Sequence, residues 1–183
     1  MAGHGWRPNS SQGFANAVRR SGASDREWRR RSLTAAIAAR RESRRYPERP
    51  IVGVLAVVLR GERALVVRRS NPPMAGRWGF PGGVLELGET VAQGAMRELL
   101  EETGVVAEAA GPLTVIDTID RDPENRVRFH YTLVAVRGVW RSGEGVPGDD
   151  ADEVAWLSHG DIVARDLAVA PALLPLLDLA LKE

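Results

Sequence analysis

The spacing of apolar and polar positions changes along the chain, and each change marks an element. From Ile51 to Leu59 every position is apolar or glycine. That run falls short of the roughly 18–20 residues of a membrane span and has the continuous apolarity of a strand buried on both faces. The turn Arg60-Gly61-Glu62-Arg63 separates it from Ala64 to Arg69, so the two stretches are expected to pair as a β-hairpin. Asn71-Pro72-Pro73 to Gly79 reads as a loop, followed by a short strand leading into the Gly82-Gly83 turn. Val105 to Asp120 and Val127 to Val136 are expected as strands joined by the Arg121-Asp122-Pro123-Glu124-Asn125 turn. After the polar loop Gly143 to Asp150, Glu153 to Leu157 reads as a last strand. Asp161 to Ala164 and Pro171 to Lys182 close the chain as helices, the second interrupted early by Pro175. Strands interspersed with helices predict an α/β fold, a sheet layered with helices.

Between Thr90 and Gly104 the period becomes helical. Thr90 with Gln93 three residues on forms a capping box, and Gly104 supplies the stop. Ala92, Met96, Leu99 and Leu100 are expected to form the buried stripe, while Glu98, Glu101 and Glu102 share another face. Like charges three or four residues apart cost about 0.2–0.5 kcal/mol per pair, and a helix C-terminus favours cations. Local energetics therefore oppose this cluster. Arg97 can reach Glu101 and relieve part of it, but one guanidinium does not neutralise the whole group, whereas a hard divalent cation with oxygen ligands can. Gly94 and Ala95 are expected beside the acidic face, leaving it accessible.

An acidic helix face alone is most often merely solvated; the flanking residues decide the matter here. Gly83, Glu89 six residues later, Arg97-Glu98, Glu101-Glu102, Gly104 and the apolar Val105, preceded by Phe80-Pro81-Gly82-Gly83, resemble the signature of the Nudix hydrolases at every specified position. The resemblance is motif-deep from Gly82 to Val105 and pattern-deep over roughly Ile51 to Leu157, and it does not cover the first fifty residues. It implies a Nudix-type α/β/α sandwich with a mixed sheet. It also implies metal-dependent hydrolysis of the pyrophosphate bond in a nucleoside diphosphate derivative, with Mg2+ as cofactor and Mn2+ as the alternative.

On that resemblance the metal ligands are Glu98, Glu101, Glu102 and the Gly82 carbonyl. The catalytic residues are Glu98, which orients or deprotonates the attacking water, with Arg97 and Glu101. Gly83 and Glu89 support the site, and Asp149, Asp150 and Glu153 are candidates for an additional loop acid. Arg68, Arg69 and Arg77 flank the loop before the signature and are candidate phosphate contacts. Trp78 and Phe80 are candidates for stacking on a base, with core packing as the competing role. His130 and Tyr131 are expected to pack or line the pocket.

Charge and composition then divide the chain. Residues 1–49 form a basic extension, with twelve arginines against four acids before Ile51, so the body carries a net −7 beneath an overall +1. The extension opens with a segment of disordered composition and continues with a possible helix from Ser24 to about Arg41. A flexible or docked extension, a nucleic-acid contact and a targeting peptide are all compatible with it. Residues 50–183 are expected as the Nudix domain. The chain has no cysteine, which excludes disulfides, thiolate zinc sites and a cysteine nucleophile, and is compatible with a cytoplasmic location. No membrane association is expected.

For the substrate, Met74 and Trp78 stand where the coenzyme A subgroup would carry arginine and glycine. Tyr131 lies too far downstream for the diadenosine-polyphosphate pattern, and Pro123 approaches the ADP-ribose pattern without its usual spacing. The run from Ile51 to Trp156 looks most like bacterial ADP-ribose pyrophosphatase-type members, so ADP-ribose or a related nucleotide sugar is expected first. A house-cleaning (oxidised) nucleoside triphosphate pyrophosphohydrolase, an RNA-end pyrophosphohydrolase drawing on the basic extension, and a non-catalytic nucleotide-sensing module are the alternatives. A homodimer is the default association.

Overall fold

A computed structural model describes residues 44–70, 74–148 and 151–182. The helix expected at 24–41, the Asn71-Pro72-Pro73 segment and the acids Asp149 and Asp150 lie outside these described residues. The chain divides between Arg45 and Tyr46, and every element below belongs to the second unit. In order these are β1 (Ile51–Arg60), β2 (Arg63–Arg69), β3 (Trp78–Gly79), β4 (Gly82–Val84), α1 (Val91–Thr103), β5 (Val106–Arg121), β6 (Val127–Ser142), β7 (Ala151–Leu157), α2 (His159–Ala164) and α3 (Leu173–Ala180).

The seven strands form one mixed sheet, in which β1 runs parallel to β6 and β5 antiparallel to β6. Alternation along β1 explains its unbroken apolar run. Val54, Ala56 and Val58 point to a layer shared with Ala95 and Leu99 of α1, while Leu55 and Val57 point to a layer shared with Ile162 of α2 and Leu173, Leu176 and Leu177 of α3. The sheet is thus covered on both faces, an α/β/α sandwich.

The expected β1–β2 hairpin forms only at its tip. Leu59 pairs with Ala64 and Arg60 with Arg63, after which the strands diverge. β2 continues along β7 and β3, whereas β1 takes β4, with Gly53, Val54 and Leu55 opposite Val84, Gly83 and Gly82. The Ala56 N–H donates to Pro81 O at 2.8 Å, so the segment leading into the acidic helix fills the wedge between the splayed strands. This wedge carries the glycine pair into the sheet directly before α1.

α1 begins at the capping box of Thr90 and Gln93 and ends at Gly104, which adopts the left-handed conformation with φ 65°. Its buried stripe differs from the expected one. Ala95, Leu99, Glu102 and Thr103 turn inward together with Gly94, while Leu100, one residue and about 100° on from Leu99, is 52% exposed. Gly94 and Ala95 consequently face the core and the 84–89 loop, not the open acidic face. Pro175 does not interrupt α3 either. It occupies the third helical position, where its missing N–H would have no intrahelical partner. Among the described residues no helix is long and apolar enough to cross a membrane.

Candidate active site

The wedge and the helix together bring the signature residues into contact. Arg97 is their hub. Its Nε and Nη2 donate to the two oxygens of Glu89 at 2.6 and 3.0 Å, a bidentate pair, and Nη1 donates to Glu98 Oε1 at 2.8 Å and to Glu101 Oε2 at 3.1 Å. Nη2 also reaches Val84 O at 3.3 Å, tying the helix to the end of β4. A planar fork of donors suits this many-handed role in a way that an ammonium does not.

Glu89 itself caps the loop by accepting the Glu86 N–H at 3.0 Å. The Arg97 hydrogen bond first, and the Glu86 N–H second, lower its pKa to about 2, so it is a fixed anion at neutral pH. Arg97 is correspondingly held above the ordinary arginine value, chiefly by Glu89.

The three helix carboxylates are not equivalent. The Glu98 side chain is 16% exposed and that of Glu101 59%. Glu102 is buried, and its Oε2 accepts the Gly82 N–H at 3.0 Å. The expected single acidic face is therefore split. Glu101 points outward, Glu98 lies against Gly83, and Glu102 is turned into the protein, where a backbone donor offsets part of the cost of its burial.

The glycines are required by close approach. A Cβ on Gly83 would lie 2.3 Å from Glu98 Oε1, and one on Gly82 would lie 2.1 Å from Val54 O. Above them, Arg69 Nη2 donates to Phe80 O at 3.3 Å and lies 3.5 Å from Gly82 O.

Among the described residues, no three acidic side chains already converge on one point as a finished metal cage. The donor set nonetheless fits a hard divalent ion. It is made of oxygens alone, two of its carboxylates already share one cationic nitrogen, and the missing Cβ of Gly83 leaves the Glu98 carboxylate its place.

The other expected site residues separate. Arg69 reaches the glycine turn. Arg77 instead donates to Val169 O at 3.0 Å, tethering its loop to the segment before α3. Arg68 pairs across strands with Glu153 at 2.6 Å. Strand alternation places Glu153 with Ala155 and Leu157, on the face away from α1. Of the two roles open to Trp78 and Phe80, stacking on a base or core packing, the structure shows the second: they are 8% and 2% exposed in the core beneath α2 and α3, so neither presents an open ring face.

The polar loop that opens at Gly143 was expected, but not its contact with the C-terminal turn of α1, along which residues 143–148 lie. There the Val146 N–H donates to Thr103 O at 2.8 Å and the Gly148 N–H to Glu102 O at 2.9 Å. Its three glycines, Gly143, Gly145 and Gly148, were the visible signal.

Comparison with known proteins gives this arrangement its class. A family model described as the NUDIX domain matches residues 49–178, and the chain belongs to the Nudix family. Nudix hydrolases generally use divalent metal ions. The chain is similar to an ADP-ribose pyrophosphatase of Methanocaldococcus jannaschii, 34% identical over 62% of this chain and 64% of the relative. The chain thus spans just under two thirds of that relative's length. Among solved structures it resembles a MutT NUDIX hydrolase from Burkholderia pseudomallei, at 29% identity and TM-score 0.63, covering 72% of this chain and 98% of that one. It also resembles a bifunctional NMN adenylyltransferase/ADP ribose pyrophosphatase from Francisella tularensis complexed with AMP and a manganese ion, at 29% identity and TM-score 0.58, covering 73% of this chain and 42% of that one.

Proposed function

We propose that this chain hydrolyses the pyrophosphate bond of a nucleoside diphosphate derivative, with ADP-ribose or a related nucleotide sugar as the leading substrate. The observation that carries the reading is the Arg97 hub, which gathers Glu89, Glu98 and Glu101 beside a glycine pair that leaves room for the Glu98 carboxylate. The ADP-ribose assignment draws support from the similarity to the archaeal ADP-ribose pyrophosphatase, and the class of cofactor from the manganese-bound Francisella relative.

Glu98, Glu101, Glu102 and the Gly82 carbonyl would hold the divalent ion, Mg2+ first and Mn2+ as the alternative. The ion would neutralise the pyrophosphate and polarise its phosphoryl oxygens. Glu98 orients water and accepts a proton as the water oxygen bonds to phosphorus and the bridging P–O bond breaks. The water's second hydrogen stays on the new phosphate. Arg97 holds Glu98 and Glu101 in place, and Glu89 locks Arg97. Arg69, which now donates to Phe80 O and Gly82 O, would turn from these carbonyls to a phosphate oxygen. The reaction is assigned to residues 50–183, with 1–49 as a basic extension.

The test is product chromatography with magnesium on a panel of ADP-ribose, a dinucleoside polyphosphate and oxidised dGTP. The reading expects AMP and ribose phosphate in equal amounts from ADP-ribose, formed at the highest initial rate. ADP-ribose as the poorest substrate would overturn the order, and no turnover with either metal would move the chain to a sensing role.

A further inference from the structure

The far end of the sheet carries a cluster that the chemistry above does not use, and it leads back to the acidic helix. Arg60, the last residue of β1, lies between two indole rings, with its guanidinium carbon 4.6 Å from the Trp140 centroid and 5.0 Å from that of Trp156. Its Nη1 donates to Glu144 at 2.8 Å. Both indoles also reach the same loop, since Trp140 Nε1 donates to Gly143 O at 2.9 Å and Trp156 Nε1 to Glu144 O at 2.8 Å. One guanidinium and two ring N–H groups, from three different strands, thus grip residues 143–144.

The grip is relayed along the loop. Two residues on, the Val146 N–H donates to Thr103 O, and the Gly148 N–H then donates to Glu102 O. Gly148 sits so tightly that a Cβ there would lie 2.1 Å from Glu101 O. These carbonyls belong to the last turn of α1, which its own helix leaves without backbone partners. The loop supplies those partners to the turn that carries Glu101 and Glu102.

We infer that Arg60, Trp140 and Trp156 form a clamp that presses loop 143–148 onto the C-terminal turn of α1 and thereby fixes where Glu101 and Glu102 stand. Arg60 is a positioning residue of the active site, acting through the loop and touching no substrate. The inference rests on the reading of α1 as the metal-holding helix.

The test compares Arg60→Ala, Arg60→Lys and Gly148→Ala with the wild type, using amide hydrogen exchange, binding of Mn2+ followed by electron paramagnetic resonance, and steady-state kinetics. Removing the guanidinium is expected to speed exchange at the Val146 and Gly148 amides by about 10-fold or more while leaving the Ala56 amide unchanged. Mn2+ affinity falls several-fold, and kcat drops about 10-fold with KM for the nucleotide within about twofold. Arg60→Lys recovers part of each effect, because an ammonium keeps the charge but loses the planar stack. Gly148→Ala gives the same loss of Mn2+ affinity and kcat with the tryptophan emission unchanged.

Unchanged exchange at Val146 and Gly148 in Arg60→Ala would overturn the clamp. So would faster exchange with Mn2+ affinity unaltered, since the loop would then be held without consequence for the carboxylates. Exchange and Mn2+ binding need no turnover, so they judge the clamp even if the substrate panel defeats the proposed activity.

Discussion

Replacing Gly83 by alanine adds one methyl group at the point where the backbone of β4 meets the Glu98 carboxylate. The added carbon would lie 2.3 Å from Oε1, 2.5 Å from Cδ and 2.6 Å from Oε2, with no other atom so close. Ordinary contact begins near 3.4 Å, so the carboxylate has to retreat by about 1 Å. Because the obstacle is the end of a flexible side chain, the fold absorbs the change at about 1–2 kcal/mol, toward the low end for an overpacked site. Catalysis is expected to be far less tolerant, since a misplacement of about 1 Å in a reacting group costs on the order of 100-fold. The expected result is a kcat about 100-fold lower on the best panel substrate, with melting lowered by only a few degrees. Gly160→Ala serves as the control, because a Cβ there meets nothing closer than the Ser158 hydroxyl at 3.8 Å. A Gly83→Ala enzyme within about threefold of wild type would refute the argument that Glu98 works from the place the structure gives it.

Three further outcomes follow from the same geometry. Glu89→Gln is expected to melt lower than wild type at neutral pH. The depressed Glu89 pKa stabilises the fold fully above its ordinary value of 4.5, and that contribution is lost as pH falls through about 2. The wild-type advantage in thermal melts should therefore close between pH 4.5 and 2, and a constant gap across that window would contradict the Arg97 pairing. Arg97→Lys is expected to lower kcat at least 10-fold with its charge intact, because an ammonium does not reproduce the bidentate hold on Glu89 together with contacts to Glu98 and Glu101; steady-state kinetics checks this. Leu99→Ala should cost about 2–5 kcal/mol in urea unfolding, since that side chain is fully buried between α1 and β1, and a loss below about 1 kcal/mol would argue against the packing described.

Much of this was readable from residue order alone, where a local signal had a local cause. The capping box of Thr90 and Gln93, the Gly104 stop and the double-sided burial of β1 depend on neighbours in sequence, and the structure shows each. The errors share a different origin. Apolarity alone puts Leu100 inside and Glu102 outside, whereas the structure reverses them because the Gly82 amide stands opposite residue 102. The β1–β2 hairpin splays because the next two strands, β3 and β4, take its facing edges, β3 on β2 and β4 on β1. Of the two roles left open for Trp78 and Phe80, core packing prevailed because the segment that carries them fills the wedge beneath α2 and α3. The polar loop from Gly143 to Asp150 is legible as a loop with candidate acids, but its hold on α1 is not, because its partners, the last carbonyls of α1, lie some forty residues earlier. Chemistry was legible from the signature, while the side chains that hold it in place became visible only in three dimensions.

The central claim is that the carboxylates of α1 direct water onto a phosphorus atom. The most direct measurement is turnover of ADP-ribose in 18O-labelled water by wild type and Glu98→Gln, with the products resolved by mass spectrometry. The account expects one labelled oxygen per turnover on a phosphoryl group of AMP or ribose phosphate, and a rate lower by about 100- to 10,000-fold in the variant. Label on a sugar carbon, or equal rates for the two proteins, would contradict it.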